Sequence, residues 1–244
     1  MARGRIALIT GANRGIGRET ARHLAERGVT VLLGCRDLDR AISTSKELAV
    51  VGADVVPVRL DVTDEASVAA ATEQVSRFGR LDILVNNAAV FVGSPVLATT
   101  AEEMRTMFEV NVFGVVTVTR WMLPLLRESP APRIVNVSST TASLELTSTG
   151  ADLPGDPQVR MAYTSSKAAL NMLTIQYARA FAELPELAHV KINSVTPGYT
   201  ATAMNDFQGH RNARDAAEVV VRSALLPDDG PTGRFFGDSG EVAW

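Results

Sequence analysis

The sequence has very little of the side chains that build disulfide frameworks or metal centres. Cys35 is the only cysteine, so no disulfide can form within the chain, and a reducing compartment such as the cytoplasm is the expected location. The three histidines, His23, His189 and His210, are far apart in the sequence and do not form a motif with the spacing of metal ligands. We therefore expect neither a disulfide-stabilised scaffold nor a metal site.

Long apolar runs and an excess of one charge are also missing. No run approaches the roughly 20 apolar residues of a membrane-spanning helix, and the first residues lead into a strand-like run without the apolar core of a signal peptide. Lysine and arginine (24) nearly balance aspartate and glutamate (27), which gives no electrostatic reason to expect nucleic acid or an anionic membrane as a partner. With 244 residues, 46% of them hydrophobic, the chain is long enough for one large domain.

Short apolar runs alternate with helical patterns along the whole chain, which is typical of an α/β protein with a parallel sheet. Runs typical of buried strands occupy residues 5–10, 30–35, 55–60, 81–85, 133–139, 190–195 and 233–236. Helical patterns cover residues 18–28, 38–51, 63–78, 101–128, 162–182 and 216–226, and Pro124 suggests a kink or break in the fourth of these. The order predicts a Rossmann-type, doubly wound parallel sheet of about seven strands with helices on both faces, in a single domain over residues 1–244.

Three glycines, Gly11, Gly15 and Gly17, follow the first predicted strand and open the first predicted helix. Strand, glycine turn and helix is the context in which free N–H groups at a helix N-terminus bind a pyrophosphate. The spacing Gly-x-x-x-Gly-x-Gly differs from the commoner Gly-x-Gly-x-x-Gly, and a purely structural glycine turn is the alternative. We interpret the motif as a dinucleotide site.

The end of the second predicted strand bears on which dinucleotide is bound. In such folds an acidic residue at this strand end bonds the ribose 2′-hydroxyl, whereas a nearby arginine accommodates a 2′-phosphate. Cys35 stands at the strand end, Arg36 follows it, and Arg14 of the glycine turn is expected close to the same ribose. Two guanidinium groups favour NADP(H). Asp37 could bond a hydroxyl if the strand ran one or two residues further, which keeps NAD(H) as the alternative.

Tyr163 and Lys167 lie four residues apart in a helical pattern, so their side chains are expected on one face of a helix, one turn apart. An ammonium near a phenol favours the phenolate, which predicts that the pKa of Tyr163 lies below its usual value of about 10. A phenol tuned in this way can act as a general acid near neutral pH. Taken alone, such a pair also occurs on ordinary solvated helix faces.

Polar side chains follow the other predicted strands at the edge where open α/β sheets bind their ligands. Asp61 follows the third strand, where an adenine edge could be met, and Asn87 follows the fourth, where its amide bonds either the backbone or a ligand. Ser138 and Ser139 end the fifth strand, and one of them is expected to point into the cleft. Asn111, among apolar neighbours in a helical pattern, is either a satisfied packing amide or a residue that bends the backbone and holds a water.

In their order along the chain these motifs resemble those of the short-chain dehydrogenase/reductase family. The resemblance covers essentially the whole chain and rests on Thr10-Gly-Ala-Asn-Arg-Gly-Ile-Gly17, Asn86-Asn-Ala-Ala89, Asn111, Ile134-Val-Asn-Val-Ser-Ser139, Tyr163-x-x-x-Lys167 and Pro197-Gly198. Ala89 departs from the glycine that the family usually has there. Arg14 with Arg36, a Ser/Thr/Gly/Pro-rich insertion at about residues 140–160 and the tail from Gly230 to Trp244 further resemble the NADPH-dependent carbonyl reductases.

The resemblance implies reduction of a ketone or aldehyde to an alcohol, reversible in principle, with hydride passing from NADPH to the carbonyl carbon. Tyr163 would protonate the carbonyl oxygen, and Lys167 would hold the pKa of Tyr163 down and bond the nicotinamide ribose. Ser139, rather than Ser138, would bind the carbonyl, and Asn111 would hold a water that relays protons. The implied cofactor-binding set is Gly11, Asn13, Arg14, Gly15, Ile16, Gly17, Arg36, Asp61, Val62, Asn87, Ala88, Tyr163, Lys167, Pro197, Gly198, Thr200 and Thr202.

The same resemblance divides the chain into a cofactor-binding half, at about residues 1–137, and a catalytic and substrate-binding half, at about residues 138–244. A small carbonyl or alcohol substrate would bind between the insertion, the region 143–146 and the polar segment 203–214. A large insertion would cover the helix faces that pair in oligomers and favour a monomer. At the intermediate length seen here, a monomer and a homo-oligomer both stay open.

Two other functions fit the same fold. A regulatory protein that binds NADP(H) without catalysis is expected to have lost the tyrosine, the lysine or the serine, and this chain has all three. Halohydrin dehalogenases, which resemble this family, replace the lysine and the glycine loop, so Lys167 and the glycines of residues 11–17 argue against that activity. An NADPH-dependent carbonyl reductase is the leading hypothesis, with an NAD(H)-dependent alcohol dehydrogenase as the alternative.

Overall fold

The apolar runs of the sequence form the strands of one sheet. The computed structural model describes residues 4–49 and 54–244. Its strands are β1 Ile6–Ile9, β2 Thr30–Cys35, β3 Val55–Arg59, β4 Ile83–Asn86, β5 Arg133–Val137, β6 Lys191–Val195, β7 Phe235–Gly237 and β8 Gly240–Glu241. Their order is β3-β2-β1-β4-β5-β6-β7-β8, and every neighbouring pair is parallel except β7 with β8. The predicted doubly wound sheet is confirmed, with one more strand than the seven expected because β8 has only two residues and no readable pattern.

The helices of the described residues are α1 Gly15–Glu26, α2 Leu38–Ala49, α3 Glu65–Ser76, α4 Ala101–Phe108, α5 Gly114–Arg127, α6 Leu144–Ser148, α7 Met161–Glu183 and α8 Ala213–Ala224. Apolar residues of α1, α2 and α8 pack in one core, and those of α3, α5 and α7 pack in a second core. The predicted helix 38–51 is α2, and the last two residues of that prediction lie outside the described residues. None of the helices described is long and apolar enough to cross a bilayer.

Strand β1 shows why its sequence is apolar at every position. Ala7 and Ile9 belong to the core beneath α1, α2 and α8, whereas Ile6 and Leu8 belong to the core beneath α3, α5 and α7. All four side chains are buried. A strand covered on both faces needs apolar residues throughout instead of the alternation of a half-exposed strand.

The long helical pattern at residues 101–128 becomes two helices. A capping box of Thr100 and Glu103 starts α4, and a single π-helical turn, Glu109–Phe113, separates α4 from α5. No break occurs at Pro124, since α5 continues through it to Arg127. The proline removes one backbone hydrogen bond, but the burial of Met122 and Leu126 on either side holds the helix in the core.

The predicted insertion at residues 140–160 is not irregular throughout. A 3-10 turn occupies Thr140–Ala142, and α6 follows it. Ser143 starts α6, because its hydroxyl accepts a hydrogen bond from the Leu146 N–H at 3.0 Å. The interpretation of this stretch as loop is therefore wrong for residues 144–148, where a serine-rich composition concealed a helix cap.

Candidate active site

A cleft of about 1340 Å³ lies at the carboxyl ends of the parallel strands, on either side of the point where the strand order reverses between β1 and β4. This is where open α/β sheets place their ligands. The cleft is lined by all of the predicted cofactor-binding residues from Gly11 to Thr202, and by Ser139, Tyr163 and Lys167. Asn111 does not line it. The fold thus brings together segments that are far apart in the sequence.

The glycine turn packs directly against the segment that follows β4. Gly11 has a φ of +64°, and a Cβ atom at this position would stand 2.9 Å from the Ala88 Cα. A Cβ atom at Gly17 would stand 2.5 Å from the Asn87 Nδ2. Both distances are shorter than a Cβ atom tolerates. Glycine is therefore required at these positions for the turn to pack against the segment after β4.

Asn87 holds the glycine turn in place. Its Nδ2 donates to the carbonyl oxygens of Thr10 at 2.9 Å and Gly11 at 3.1 Å. The Thr10 hydroxyl accepts from the backbone N–H groups of Asn87 and Ala88 at 3.0 and 2.9 Å. Of the two roles that the sequence leaves open for this amide, bonding to the backbone is therefore the one seen in the structure. Asn87 also lines the cleft.

The N-terminus of α1 faces no capping side chain. Arg14, at the N-cap position, has an extended backbone and no side-chain hydrogen bond to the first turn. Gly15, Ile16 and Gly17 of that turn line the cleft, and the Thr44 hydroxyl donates to the Asn13 carbonyl oxygen at 3.2 Å from behind. A helix start with free N–H donors and a fixed loop fits a pyrophosphate.

The charged side chains near the end of β2 comprise a carboxylate that is already in an ion pair and two guanidinium groups that are not. Asp37 accepts from the Arg40 N–H at 3.2 Å and pairs with the Arg40 Nε at 3.1 Å, at the start of α2. Arg14 and Arg36 are exposed and line the cleft, and neither forms an ion pair with an acidic side chain in the described parts of the chain. These two guanidinium groups fit a phosphate on the ribose.

Tyr163 and Lys167 lie on one face of α7, one turn apart, as the spacing predicts. Lys167 is 2% exposed, its Nζ donates to the Val137 carbonyl oxygen at 2.8 Å, and the same atom is 5.8 Å from the centroid of the Tyr163 ring. The contact ties α7 to the end of β5. A buried lysine and a partly exposed tyrosine therefore lie side by side in the cleft.

Burial changes the proton affinity of both groups. It raises the pKa of Tyr163 to about 12 and lowers the pKa of Lys167 to about 7. The prediction that the pKa of Tyr163 lies below 10 is wrong. Desolvation disfavours the charged form of each group, and a lysine that gives up its own proton more easily offers the phenolate less compensation.

The two serines at the end of β5 have different environments. Ser138 is buried, and its hydroxyl donates to the Lys167 carbonyl oxygen at 3.4 Å. Ser139 is partly exposed, and its hydroxyl lies 3.0 Å from that of Thr141. Since Ser138 is directed to the α7 backbone, Ser139 is the serine whose hydroxyl is available to a ligand.

Asn111 lies behind the wall of the cleft, in the π-helical turn, and is fully buried. Its Oδ1 accepts from the Val90 N–H at 2.9 Å, and its Nδ2 donates to the Val90 carbonyl oxygen at 3.1 Å and to the Ser166 hydroxyl at 3.0 Å. The Ser166 hydroxyl in turn donates to the Tyr163 carbonyl oxygen at 2.7 Å. One amide thus joins the segment after β4 to the helix that carries Tyr163.

A buried chain of polar side chains beneath the cleft was not predicted from the sequence. The Asn86 amide donates to the Asn136 Oδ1 at 2.8 Å, and the Asn136 amide donates to the Thr174 hydroxyl at 2.8 Å. The hydroxyls of Thr174 and Ser194 are 2.9 Å apart. These bonds connect β4, β5, α7 and β6, and a polar residue inside each apolar strand was the available signal.

The substrate side of the cleft differs in part from the prediction. Residues 203–208 line it as expected, but residues 143–146 do not. The Ser143 hydroxyl and the Glu145 N–H instead donate to the Trp244 carbonyl oxygen at 3.3 and 3.0 Å. Val159 of the predicted insertion lines the cleft as expected, and Phe91, which was not predicted, also contributes to its wall. Phe91 lies in an irregular segment, where hydrophobic periodicity gives no signal.

The fold and the cleft define a class of protein. A doubly wound sheet, a glycine turn after β1, and a tyrosine and lysine one turn apart beside the same cleft are the features of a dinucleotide-dependent oxidoreductase. No group of three or more acidic, histidine or cysteine side chains that could hold a metal ion occurs in the described residues. The family model of the short chain dehydrogenases matches residues 5–213. The chain belongs to the short-chain dehydrogenase/reductase family.

Individual members of the family are similar over the full length of the chain. Salutaridine reductase of Papaver bracteatum is 34% identical over 304 aligned positions, which cover 98% of this chain and 96% of the relative. (-)-Isopiperitenone reductase of Mentha piperita is 35% identical, with 95% and 96% covered. Because the first alignment has 304 positions and this chain has 244 residues, that relative carries about 60 residues with no counterpart here.

Solved structures extend the similarity to the backbone. The carbonyl reductase from chicken fatty liver, solved with bound NADPH, matches with a TM-score of 0.84 at 27% identity, covering 99% of this chain and 100% of that chain. The backbone that holds the glycine turn and Tyr163 of α7 is therefore similar to that of a known oxidoreductase. The chain is an oxidoreductase of the short-chain dehydrogenase/reductase family.

Proposed function

We propose that the protein is an NADPH-dependent reductase that converts a ketone or aldehyde to an alcohol, reversibly. The observation that carries this proposal is the placement of Tyr163, Lys167 and Ser139 in the same cleft as the glycine turn. Salutaridine reductase and (-)-isopiperitenone reductase are named as reductases, and the carbonyl reductase of similar fold binds NADPH. These similarities support reduction as the activity of this protein.

The charges of the cleft support NADP(H) over NAD(H). Arg14 and Arg36 have no acidic partner in the described residues, whereas the carboxylate of Asp37 is engaged by Arg40. A ribose hydroxyl would therefore have to share the Asp37 carboxylate with the charge of Arg40, whereas a 2′-phosphate would meet two guanidinium groups that have no acidic partner. When bound, the nicotinamide cofactor supplies the hydride.

Tyr163 is suited to hold and deliver a proton. Because burial raises its pKa to about 12, the phenol keeps its proton at neutral pH and can donate a hydrogen bond to a carbonyl oxygen. The Ser139 hydroxyl is a second donor for the same oxygen. Hydrogen bonds aimed at an oxygen that gains negative charge during reduction lower the barrier, and the phenol proton then moves to that oxygen.

Lys167 acts on the phenol and on the cofactor side of the cleft. In its protonated form it stabilises the negative charge that remains on the Tyr163 oxygen after proton transfer. Its Nζ, held by the Val137 carbonyl oxygen at 2.8 Å, keeps further donors for the nicotinamide ribose, since an ammonium has three. Asn111 supports both residues from behind by anchoring α7 through Ser166.

The test is oxidation of NADPH by the purified protein with a panel of ketones, aldehydes and quinones, with NADH in parallel. We expect carbonyl-dependent oxidation of NADPH, with one alcohol formed per NADPH consumed, and a much lower efficiency with NADH. Tight binding of NADPH without turnover of any carbonyl would favour the non-catalytic regulatory alternative. Equal efficiency with NADH would contradict the assigned cofactor preference.

A further inference from the structure

Phe91 lies in the irregular segment between β4 and α4 and lines the cleft. Its ring meets the ring of Tyr163 edge to face, with centroids 5.5 Å apart and planes at 78°. In the described part of the chain no residue hydrogen-bonds the Tyr163 hydroxyl. The ring of Phe91 and the Nζ of Lys167, 5.8 Å from the Tyr163 centroid, both lie against the phenol ring.

The position of Phe91 is fixed from behind. Both backbone polar groups of the preceding residue, Val90, are bonded by the Asn111 amide, at 2.9 and 3.1 Å. The same amide reaches Tyr163 through the Ser166 hydroxyl. The backbone next to Phe91 and the backbone of Tyr163 are thus tied to one buried side chain, which fixes the points from which the two rings extend.

The space around the Phe91 ring is closed on the side of the insertion. A Cβ atom at Gly93 would stand 3.3 Å from the ring atoms Cε1 and Cζ of Phe91, and 3.6 Å from the Val159 Cβ. The backbone of the two segments is joined by a bond from the Val96 N–H to the Gln158 carbonyl oxygen at 2.8 Å. The ring therefore fills the corner between Tyr163 and the insertion.

The charged side chains next to this corner form hydrogen bonds within their own loop. The Arg160 Nη1 donates to the carbonyl oxygens of Leu153, Pro154 and Gly155 at 3.1, 2.8 and 3.1 Å. The Asp156 Oδ1 accepts from the Gln158 N–H at 2.8 Å. The surface beside the phenol is consequently the apolar edge and face of an aromatic ring.

We propose that Phe91 determines substrate specificity and positions the acid: it orients the Tyr163 ring and forms the wall against which an apolar, preferably flat, substituent of the carbonyl carbon packs. The inference rests on the proposed function, because it assigns a wall to the substrate of that reaction. It predicts that aryl and alicyclic ketones are preferred to small aliphatic ketones, and that this preference depends on the aromatic ring at this position.

The test compares Phe91→Ala and Phe91→Leu with the matched control Phe113→Ala. Phe113 is 51% exposed, forms an edge-to-face pair with Phe108 and does not line the cleft. Binding of acetophenone and of 2-butanone is measured by ligand-observed NMR on protein saturated with NADP⁺, a complex in which a ketone cannot be reduced. Turnover of both ketones with NADPH is measured separately.

In Phe91→Ala we expect the affinity for acetophenone to fall about tenfold, and that for 2-butanone to change little, because only the aryl ketone loses an aromatic contact. Phe91→Leu should recover part of the acetophenone affinity, since it restores apolar volume. In both variants kcat for 2-butanone should fall, because neither side chain presents a ring edge to Tyr163. Phe113→Ala should match the wild type in every measurement.

An unchanged ratio of the two affinities in a folded Phe91→Ala protein that still binds NADP⁺ would overturn the specificity assignment. If Phe91→Ala fails to fold, Phe91→Leu decides through kcat for 2-butanone, and an unchanged value would overturn the positioning assignment. A wild-type protein that binds acetophenone in preference to 2-butanone but reduces neither would contradict the proposed function alone, since the binding ratio reports on the wall without turnover.

Discussion

The role of Asp37 depends on a partner that the sequence does not reveal. From the sequence, this carboxylate could have accepted a ribose hydroxyl, and Arg36 beside it could have been an ordinary solvated charge. In the structure the carboxylate caps α2 and pairs with Arg40, whereas Arg14 and Arg36 line the cleft without an acidic partner in the described residues. The residue types at the end of β2 can be read from the sequence, whereas the pairing of Asp37 with Arg40 is seen only in the folded chain.

Replacing both Arg14 and Arg36 with alanine should separate the two cofactors. Each guanidinium that bonds a phosphate contributes about 1.5–3 kcal/mol, so we expect NADPH affinity to fall about 100-fold or more and NADH affinity to change little. Fluorescence titration of each nucleotide measures this. The matched control is alanine at Arg105 and Arg120, two exposed arginines paired with glutamates outside the cleft. Equal losses for NADPH and NADH would contradict the 2′-phosphate assignment.

Lys167 should make the stability of the cofactor-free protein depend on pH. Its pKa is about 7 in the folded chain, against a usual value of 10.5. Between these values the unfolded lysine binds a proton that the folded lysine does not, so the free energy of unfolding rises with pH across the window. The stability that this difference in proton binding adds is fully present above about pH 10 and is lost as the pH falls to 7.

This dependence should vanish when Lys167 is replaced by methionine. From pH 7 to pH 9, the free energy of unfolding of the wild type should rise by up to about 2 kcal/mol relative to the variant, as measured by urea denaturation. Lys46→Met, at an exposed position of α2, serves as the control and should track the wild type. A wild-type advantage that stays constant over this range would show that Lys167 keeps its proton when buried.

Among the helices and strands, regular patterns were predictable and irregular segments were not. Strand β2 has the predicted bounds, residues 30–35, because a continuous buried run flanked by charge and glycine has few alternatives. Helix α6 escaped prediction because it has only five residues, too few for a period of 3.6 to be visible. The wall formed by Phe91 escaped for a related reason: no periodicity relates a side chain in an irregular segment to the face it occupies.

The π-helical turn shows how a local irregularity serves the site. It places Asn111 where one amide bonds both polar groups of Val90 and the hydroxyl of Ser166. π-Helical turns inside α-helices are frequent at functional sites. In the sequence Asn111 is only a polar residue in an apolar run. Such a residue can be a packing amide within one helix or can join two elements, and the pattern does not distinguish the two.

Replacing Asn111 with alanine should disconnect the segment after β4 from α7. The three hydrogen bonds of this buried amide are lost, and the Val90 N–H and carbonyl groups are left without their partner. Two of the three hydrogen bonds are partly buried and one is fully buried, and we expect their loss to lower the free energy of unfolding by about 2–4 kcal/mol. Asn212→Ala, which removes the exposed N-cap of α8, should cost only about 1 kcal/mol. Urea denaturation compares the two, and an Asn111 cost no larger than the Asn212 cost would contradict the joining role.

Taken as a whole, the molecule assembles its cleft from segments that only the topology brings together. The crossover from β3 to β4 places β4 next to β1 and so sets the glycine turn beside Asn87. The polar chain from Asn86 to Ser194 connects β4, β5, α7 and β6 beneath the cleft. Because these contacts span the predicted cofactor and catalytic halves, neither half closes the cleft alone. The order of motifs sufficed to predict the fold and most of the lining, since most of the motifs follow the carboxyl end of a strand and the tyrosine and lysine lie on α7, which packs beside those ends.

Proton affinities could not be predicted in this way. The spacing of Tyr163 and Lys167 gave their proximity, but the depth of burial, which raises one pKa and lowers the other, depends on packing by α7, β5 and the segment after β4. The same limit applies to the substrate wall, where Phe91 lies in an irregular segment whose packing the sequence does not reveal.

The central claim is that the Tyr163 phenol delivers the proton during carbonyl reduction, and Tyr163→Phe tests it most directly. The control is Tyr177→Phe, on the same helix but outside the cleft. With a ketone that the wild type reduces, kcat for NADPH oxidation should fall about 100- to 10,000-fold in Tyr163→Phe, while the affinity for NADPH and the activity of Tyr177→Phe stay unchanged. A Tyr163→Phe protein that reduces the ketone at close to the wild-type rate would contradict the claim.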